Sequence, residues 1–104
     1  MTPKAREALR IIRRCVARGQ YSVARHFTRR MDERGMVWAD VLALLDVQAS
    51  VRSDGKDEYG CPKWIIAGKA TDGVAVEMVC VLDADEQGRY TAFVTIYWPM
   101  HRSR

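Results

Sequence analysis

What this sequence lacks narrows it before anything it contains. No uninterrupted apolar run approaches the ~20 residues that a membrane-spanning helix needs. Asp40 and Asp46 interrupt the stretch from Val37 to Val47, and Glu77 interrupts the one from Val74 to Leu82. At the N-terminus the apolar pair Ile11-Ile12 is hemmed in by arginines, and the segment lacks the serines of a transit peptide. A cytoplasmic chain with no membrane association is expected. Cys15, Cys61 and Cys80 are an odd number with no Cys-x-x-Cys pair, so neither a disulfide framework nor a zinc site is expected. Cys15 and Cys80 lie within apolar patterns and read as buried reduced thiols. There is no glycine-rich phosphate loop and no serine or cysteine triad motif. Histidine is scarce: His26 and His101 are the only two. No metal and no cofactor are expected.

What is present describes one ordinary globular domain. The 104 residues cannot hold two independent cores, and 48% hydrophobic with 29% charged residues argues against disorder. Charge is unevenly spread. From Met1 to Arg34 ten Lys and Arg stand against Glu7, Asp32 and Glu33, a net of +7. The rest carries seven basic and ten acidic groups, a net of −3. Such a basic half attracts polyanions, and arginine suits phosphate better than lysine does. A basic helix can also serve solubility alone.

Periodicity gives the elements. Thr2-Pro3 is a helix start, a hydroxyl cap followed by proline. Ala5, Ala8, Leu9, Ile12, Cys15 and Val16 then recur at helical spacing as far as Gly19. Ser22 is a plausible cap for a second helix ending at Gly35, with Val23, Phe27 and Met31 as its core stripe. Trp38, Val41, Leu42 and Leu45 define one face of a third. The period then changes. Strands are expected over 48–53, 64–70, 74–82 and 89–98, separated by the turns Asp54-Gly55-Lys56-Asp57 and Thr71-Asp72-Gly73 and by an acidic loop over 83–88. The third strand, apolar on both faces, should be central. In the last, Tyr90, Ala92, Val94, Ile96 and Trp98 alternate with Thr91, Phe93, Thr95 and Tyr97, the first set reading as core. The fold class is α+β, three N-terminal helices packed on a four-stranded antiparallel sheet.

His26, Arg30 and Arg34 are spaced i, i+4, i+8, so they share one side of the second helix beside its apolar stripe. One imidazole and two guanidiniums suit metal-free RNA cleavage, in which the ribose 2′-hydroxyl is the nucleophile. The protein then only moves protons and stabilises charge on phosphorus. Structural readings stand beside it. Arg30 can pair with Asp32 or Glu33, Arg34 can serve the helix C-terminus, and Tyr97 can be packing. Glu77, a lone carboxylate in an apolar strand, is either a general base or an arginine's partner.

The segment "YSVARHFTRRMDERGM" is similar to the pattern Ser-x-His-Ala-x-x-Arg-Met-x-x-Arg-Gly-Ile of a family of small bacterial domains of unknown function, family 4258. "AGKATDGVAVEMVCV" resembles that family's Gly-Arg-x-x-Asp-Gly strand turn, and "FVTIYW" its closing Thr-x-Tyr strand. The resemblance spans residues 21–98 of the single domain 1–104 and leaves 1–20 as a helical extension. Two positions depart from the pattern: Phe27 stands for alanine and Val37 for a hydroxyl residue. The family in turn resembles toxin ribonucleases of the RelE and BrnT type. That resemblance implies a RelE-like fold, an endoribonuclease of a toxin–antitoxin system, RNA as substrate, free or on the ribosome, and a cognate antitoxin. It implies His26, Arg30, Arg34 and Tyr97 as catalytic residues, with Thr95 and Lys69 in contact with substrate; in the ribonuclease reading Lys69 and Lys56 are the weaker candidates, for contacts to the RNA backbone. The rival functions are a non-catalytic nucleic-acid or ribosome-binding module using Arg6, Arg10, Arg13 and Arg14, and a docking domain for an acidic protein.

Overall fold

The computed structural model describes residues 1–46, 49–85 and 88–99. Helix α1 (Pro3–Ala17) starts as the sequence indicates, the Thr2 hydroxyl accepting from the Ala5 amide at 3.1 Å. It buries Ala5, Ala8, Leu9, Ile11, Ile12 and Cys15. Gly19, at φ +71°, closes it: Gln20 N–H reaches the Cys15 carbonyl and Gly19 N–H that of Val16, so the last turn leaves few orphan carbonyls.

The next segment is the first correction. Tyr21–Val23 is not the lead-in to a helix but a short strand, β1, and Ser22 caps nothing. Alternation explains it. Tyr21 and Val23 turn toward the core, Tyr21 stacking on Trp38 at 5.2 Å between ring centroids, while Ser22 faces solvent. Helix α2 (Arg25–Glu33) therefore begins after Ala24 with no side-chain cap. It buries Phe27 and Met31 and ends at Gly35 with the same glycine-closed turn as α1. Helix α3 (Trp38–Asp46) buries Val41, Leu44 and Leu45, with Leu42 only half-buried. Leu44 lies over Gly68, where a Cβ would come within 3.2 Å of its side chain.

Four further strands follow: β2 (Ser50–Lys56), β3 (Pro62–Lys69), β4 (Ala75–Asp85) and β5 (Gly88–Tyr97). They form the expected antiparallel meander, with β1 added parallel to β5, so the sheet has five strands in the order β1-β5-β4-β3-β2 rather than four. β4 is central, as its two apolar faces require. β2 runs past its expected end through a bulge between Ser53 and Lys56, and the reversal falls instead at Asp57–Gly60, where the Asp57 carboxylate accepts from the Tyr59 and Cys61 amides. The loop expected over 83–88 is largely strand, because β4 and β5 stay paired from Asp83 with Tyr90 to Asp85 with Gly88; Gln48 and residues 86–87 lie outside the described residues.

All three helices contribute to a single core against one face of the sheet, with Ile12, Phe27 and Val41 meeting Ile66, Met78, Phe93 and Ile96, each fully buried. Among the described residues no helix covers the other face. Its Ile65, Val79 and Val81 are nevertheless buried, flanked in register by Arg52, Lys63, Thr95 and Tyr97.

The last strand corrects the expected alternation. Val79 pairs with Thr95 but Cys80 with Phe93, so Val94 is an extra residue, bulged outward and 36% exposed. Before the bulge Thr91 and Phe93 face the helices; after it Ile96 does. This slip lets two large apolar residues an odd number of positions apart share the core. It also sends Tyr97 to the uncovered face.

Candidate functional site

The described part of the chain holds no helix long and apolar enough to cross a membrane. Its surface carries two polar constellations, one on α2 and one on the uncovered face of the sheet.

α2 lies along the second half of β5. The Ala24 amide donates to the Phe93 carbonyl at 2.9 Å, and the Arg34 guanidinium sits 4.2 Å from the ring centroid of Trp98. Phe27 packs edge-on to Phe93 with centroids 5.7 Å apart, which fixes the helix roll. Arg25, His26 and Arg29 consequently face solvent, and Arg30 is half-buried beside Met31. Among the described residues none of these four side chains has an ion pair or a hydrogen bond, so the pairing of Arg30 with Asp32 or Glu33 is not made. Arg34 is held against Trp98 by a cation–π contact that keeps the edge of its fork available. α1 adds Arg6, Arg14 and Arg18, likewise unpaired among the described residues. Arg10 is bound to Glu7, and Arg13 donates to the Leu45 carbonyl at 2.6 Å.

On the uncovered face the arginine is spoken for. Arg52, across from Ile65 on β3, reaches diagonally to the next row of the same face, where Glu77 stands across from Ala67, and places two nitrogens 3.0 and 3.3 Å from the Glu77 carboxylate. The Tyr97 hydroxyl donates to the same carboxylate at 2.7 Å. The Arg52 fork, and secondarily the Tyr97 hydroxyl, hold the Glu77 carboxyl below the usual carboxylate range despite partial burial. Burial, then the Glu77 charge, push the Tyr97 phenol up. Of the two alternatives for Glu77, the structure shows the arginine's partner. Thr95 lies in the adjacent row, across from Val79, and Lys69 one row beyond Ala67, across from Ala75.

The seven residues singled out in the sequence thus divide. His26, Arg30 and Arg34 stand on the helix layer. Thr95, Tyr97 and Lys69 belong to the uncovered sheet face. Lys56 is at the far end of β2, beside Lys4 and Trp64 in a groove of about 800 Å³. The phenol and the imidazole do not converge: residue 97 pairs with Glu77 on the face away from Phe27 and Met31. His101 lies outside the described residues. Arg52 is the residue that strand patterning overlooks. Its signal is Glu77, an isolated carboxylate in an apolar strand that requires a cation from a neighbouring strand.

Among the described residues no group of three or more His, Cys, Asp or Glu side chains is placed so that it could hold a metal ion. Cys15 and Cys80 are buried and Cys61 half-buried, all three unbridged. No curated protein and no solved structure matches the chain. A family does: the match to DUF4258, a domain of unknown function, runs over residues 23–98, from β1 through α2 to the end of the sheet, and the chain belongs to that family.

Proposed function

We propose that the protein acts on RNA as an endoribonuclease of the RelE and BrnT toxin type, with α2 as its working surface. The observation that carries this reading is the unneutralised cluster of Arg25, His26, Arg29 and Arg30 on a helix whose apolar side is fixed in the core. Guanidiniums without internal partners are ready to meet phosphate, and a fixed helix loses little entropy in doing so. In the reaction the 2′-hydroxyl attacks the adjacent phosphorus, forming the P–O2′ bond and breaking the P–O5′ bond. One proton leaves the 2′-oxygen and another reaches the 5′-oxygen. His26 performs one of these transfers, water the other, and Arg30 faces the charge that builds on the phosphate. An acidic antitoxin would silence the enzyme by covering the same cations.

The test is incubation of the folded protein with RNA in EDTA. Fragments ending in a 2′,3′-cyclic phosphate are expected from the wild type and not from His26→Ala. RNA carrying deoxyribose at the cleavage position should survive. Intact RNA after long incubation with antitoxin-free protein would defeat the proposal.

The position of Tyr97 favours a second reading, a nucleic-acid or ribosome-binding module without catalysis, because the phenol faces away from α2 and its hydroxyl donates its hydrogen bond to Glu77. In that case binding falls steeply with salt, no cyclic phosphate appears, and His26→Ala leaves RNA binding unchanged.

A further inference from the structure

A second cluster of unpaired arginines lies away from α2. Where the end of α1 meets the start of β5, a cleft of about 370 Å³ is lined by Arg14 from the helix, Arg18 from its C-terminal cap and Arg89 from the strand. None of the three guanidiniums has an ion pair or a hydrogen bond among the described residues. Glu7 stands at the rim, but both its oxygens are taken by Arg10. The walls are pinned from beneath: the Cys15 thiol donates to the Arg89 carbonyl at 3.6 Å, and the Thr91 amide to the Gln20 carbonyl at 3.1 Å. The cleft is therefore a held opening with three guanidiniums that make no hydrogen bond or ion pair, although the Glu7 carboxylate at its rim attracts Arg14 and Arg89 at longer range, and such a cluster recognises a phosphate.

We propose that this cleft is a second phosphate site, taking the backbone of the same RNA strand whose scissile region lies on α2. The inference rests on the RNA reading and extends it to the length and path of the substrate. Arg89 opens β5, α2 is anchored at Phe93, and Arg34 meets Trp98, so the cations follow one strand for nine residues, about 30 Å at ~3.3 Å per residue. A dinucleotide cannot span that distance; a single strand of several nucleotides can. An acidic protein is the poorer fit. Protein interfaces centre on apolar anchors, whereas Ile11 and Cys15, the apolar members of this cleft, are themselves buried and leave guanidiniums as its exposed walls.

The experiment uses the whole chain and 2′-O-methyl RNA, which binds without being cut. Arg14→Gln/Arg18→Gln/Arg89→Gln, checked for an unchanged melting temperature, should bind a ten-nucleotide strand about tenfold or more weakly than wild type. Its slope of log affinity against log salt should be smaller by about 0.7 for each phosphate that the variant no longer neutralises. In parallel, inorganic pyrophosphate should shift the side-chain NMR signals of these three arginines. Wild-type affinity and slope in the triple variant, with Arg25→Gln/Arg30→Gln weakening binding, would overturn the cleft and leave the RNA reading standing. No RNA binding by the wild type would overturn both. Equal binding of poly-glutamate and RNA, both abolished in the triple variant, would overturn RNA as the ligand.

Discussion

The two faces of the sheet use arginine in opposite ways. On the uncovered face Arg52 is tied to Glu77, and Glu77 to Tyr97, so three polar groups drawn from β2, β4 and β5 satisfy one another and lie over an apolar row. On the helix layer Arg25, Arg29 and Arg30 meet no carboxylate among the described residues. A charge cluster that is internally balanced contributes order and little outward field. One left unbalanced, within a segment of net +7, raises the local concentration of any polyanion. Tight internal organisation therefore counts against a phosphate site here: the better-ordered triad has the less to offer a ligand.

That contrast rests on measurable properties of single residues. The largest effect is expected from His26→Ala, which should lower the rate of RNA cleavage by about 10²-fold or more, the usual yield of a positioned acid or base. It should leave the melting temperature almost unchanged, since His26 is exposed and unpartnered. Next comes Phe93→Ala. Phe93 is fully buried and meets the rings of Tyr21, Phe27 and Trp38 edge-on at 6.0, 5.7 and 5.3 Å. Removing it should cost about 3–5 kcal/mol in denaturant unfolding. Because α2 loses its seat, RNA activity should fall as well, while the Arg52–Glu77 pair on the other face survives. A small loss of stability would mean that α2 is held by something other than this aromatic cluster.

Most of the fold is legible because its signals are local. The Thr2-Pro3 start, the glycines that close α1 and α2, the apolar stripes and the doubly apolar β4 each follow from a few adjacent residues. Three features are not. β1 is a strand because Tyr21 finds Trp38 and Phe93, neither close to it in sequence, and three residues are too few to declare a period. The bulge at Val94 depends on what Val79 and Cys80 require across the ladder, and no feature of β5 alone announces it. The candidate site inherits that blindness. His26, Arg30 and Arg34 share a helix side as their spacing dictates, but whether Tyr97 joins them turns on a single inserted residue. Arg52 is hidden for a related reason: a side chain that crosses a whole strand to its partner leaves no periodic trace.

A smaller effect is expected from acid. Glu77 has a depressed carboxyl in the folded state, so its contribution to stability is complete above the ordinary carboxylate range and is lost as pH falls through the folded-state value. Glu77→Gln should lower stability at pH 7 by about 1 kcal/mol, since the partner Arg52 is largely exposed. The variant should also lose less stability than wild type as pH falls below the ordinary carboxylate range, where the depressed Glu77 carboxyl takes up its proton. Parallel acid profiles for the two proteins would show that the triad adds nothing, and the contrast between the faces would lose its structural half.

The smallest expected change, and the sharpest discriminator, is Tyr97→Phe. The phenylalanine keeps the ring and removes only the hydroxyl that donates to Glu77 at 2.7 Å. The freed carboxylate oxygen is near enough to solvent to take water, so the loss should sit near ~0.5 kcal/mol, the low end for a hydrogen bond. The Glu77 carboxyl, deprived of one donor but not of Arg52, should titrate slightly higher, and the acid-dependent loss of stability should shrink accordingly. If the hydroxyl only organises the sheet, melting in acid responds and RNA cleavage does not. Loss of cleavage at unchanged stability would join the two faces into one site, which requires RNA to wrap the bulged edge of β5 and would demand that the division between an ordering face and a binding face be abandoned.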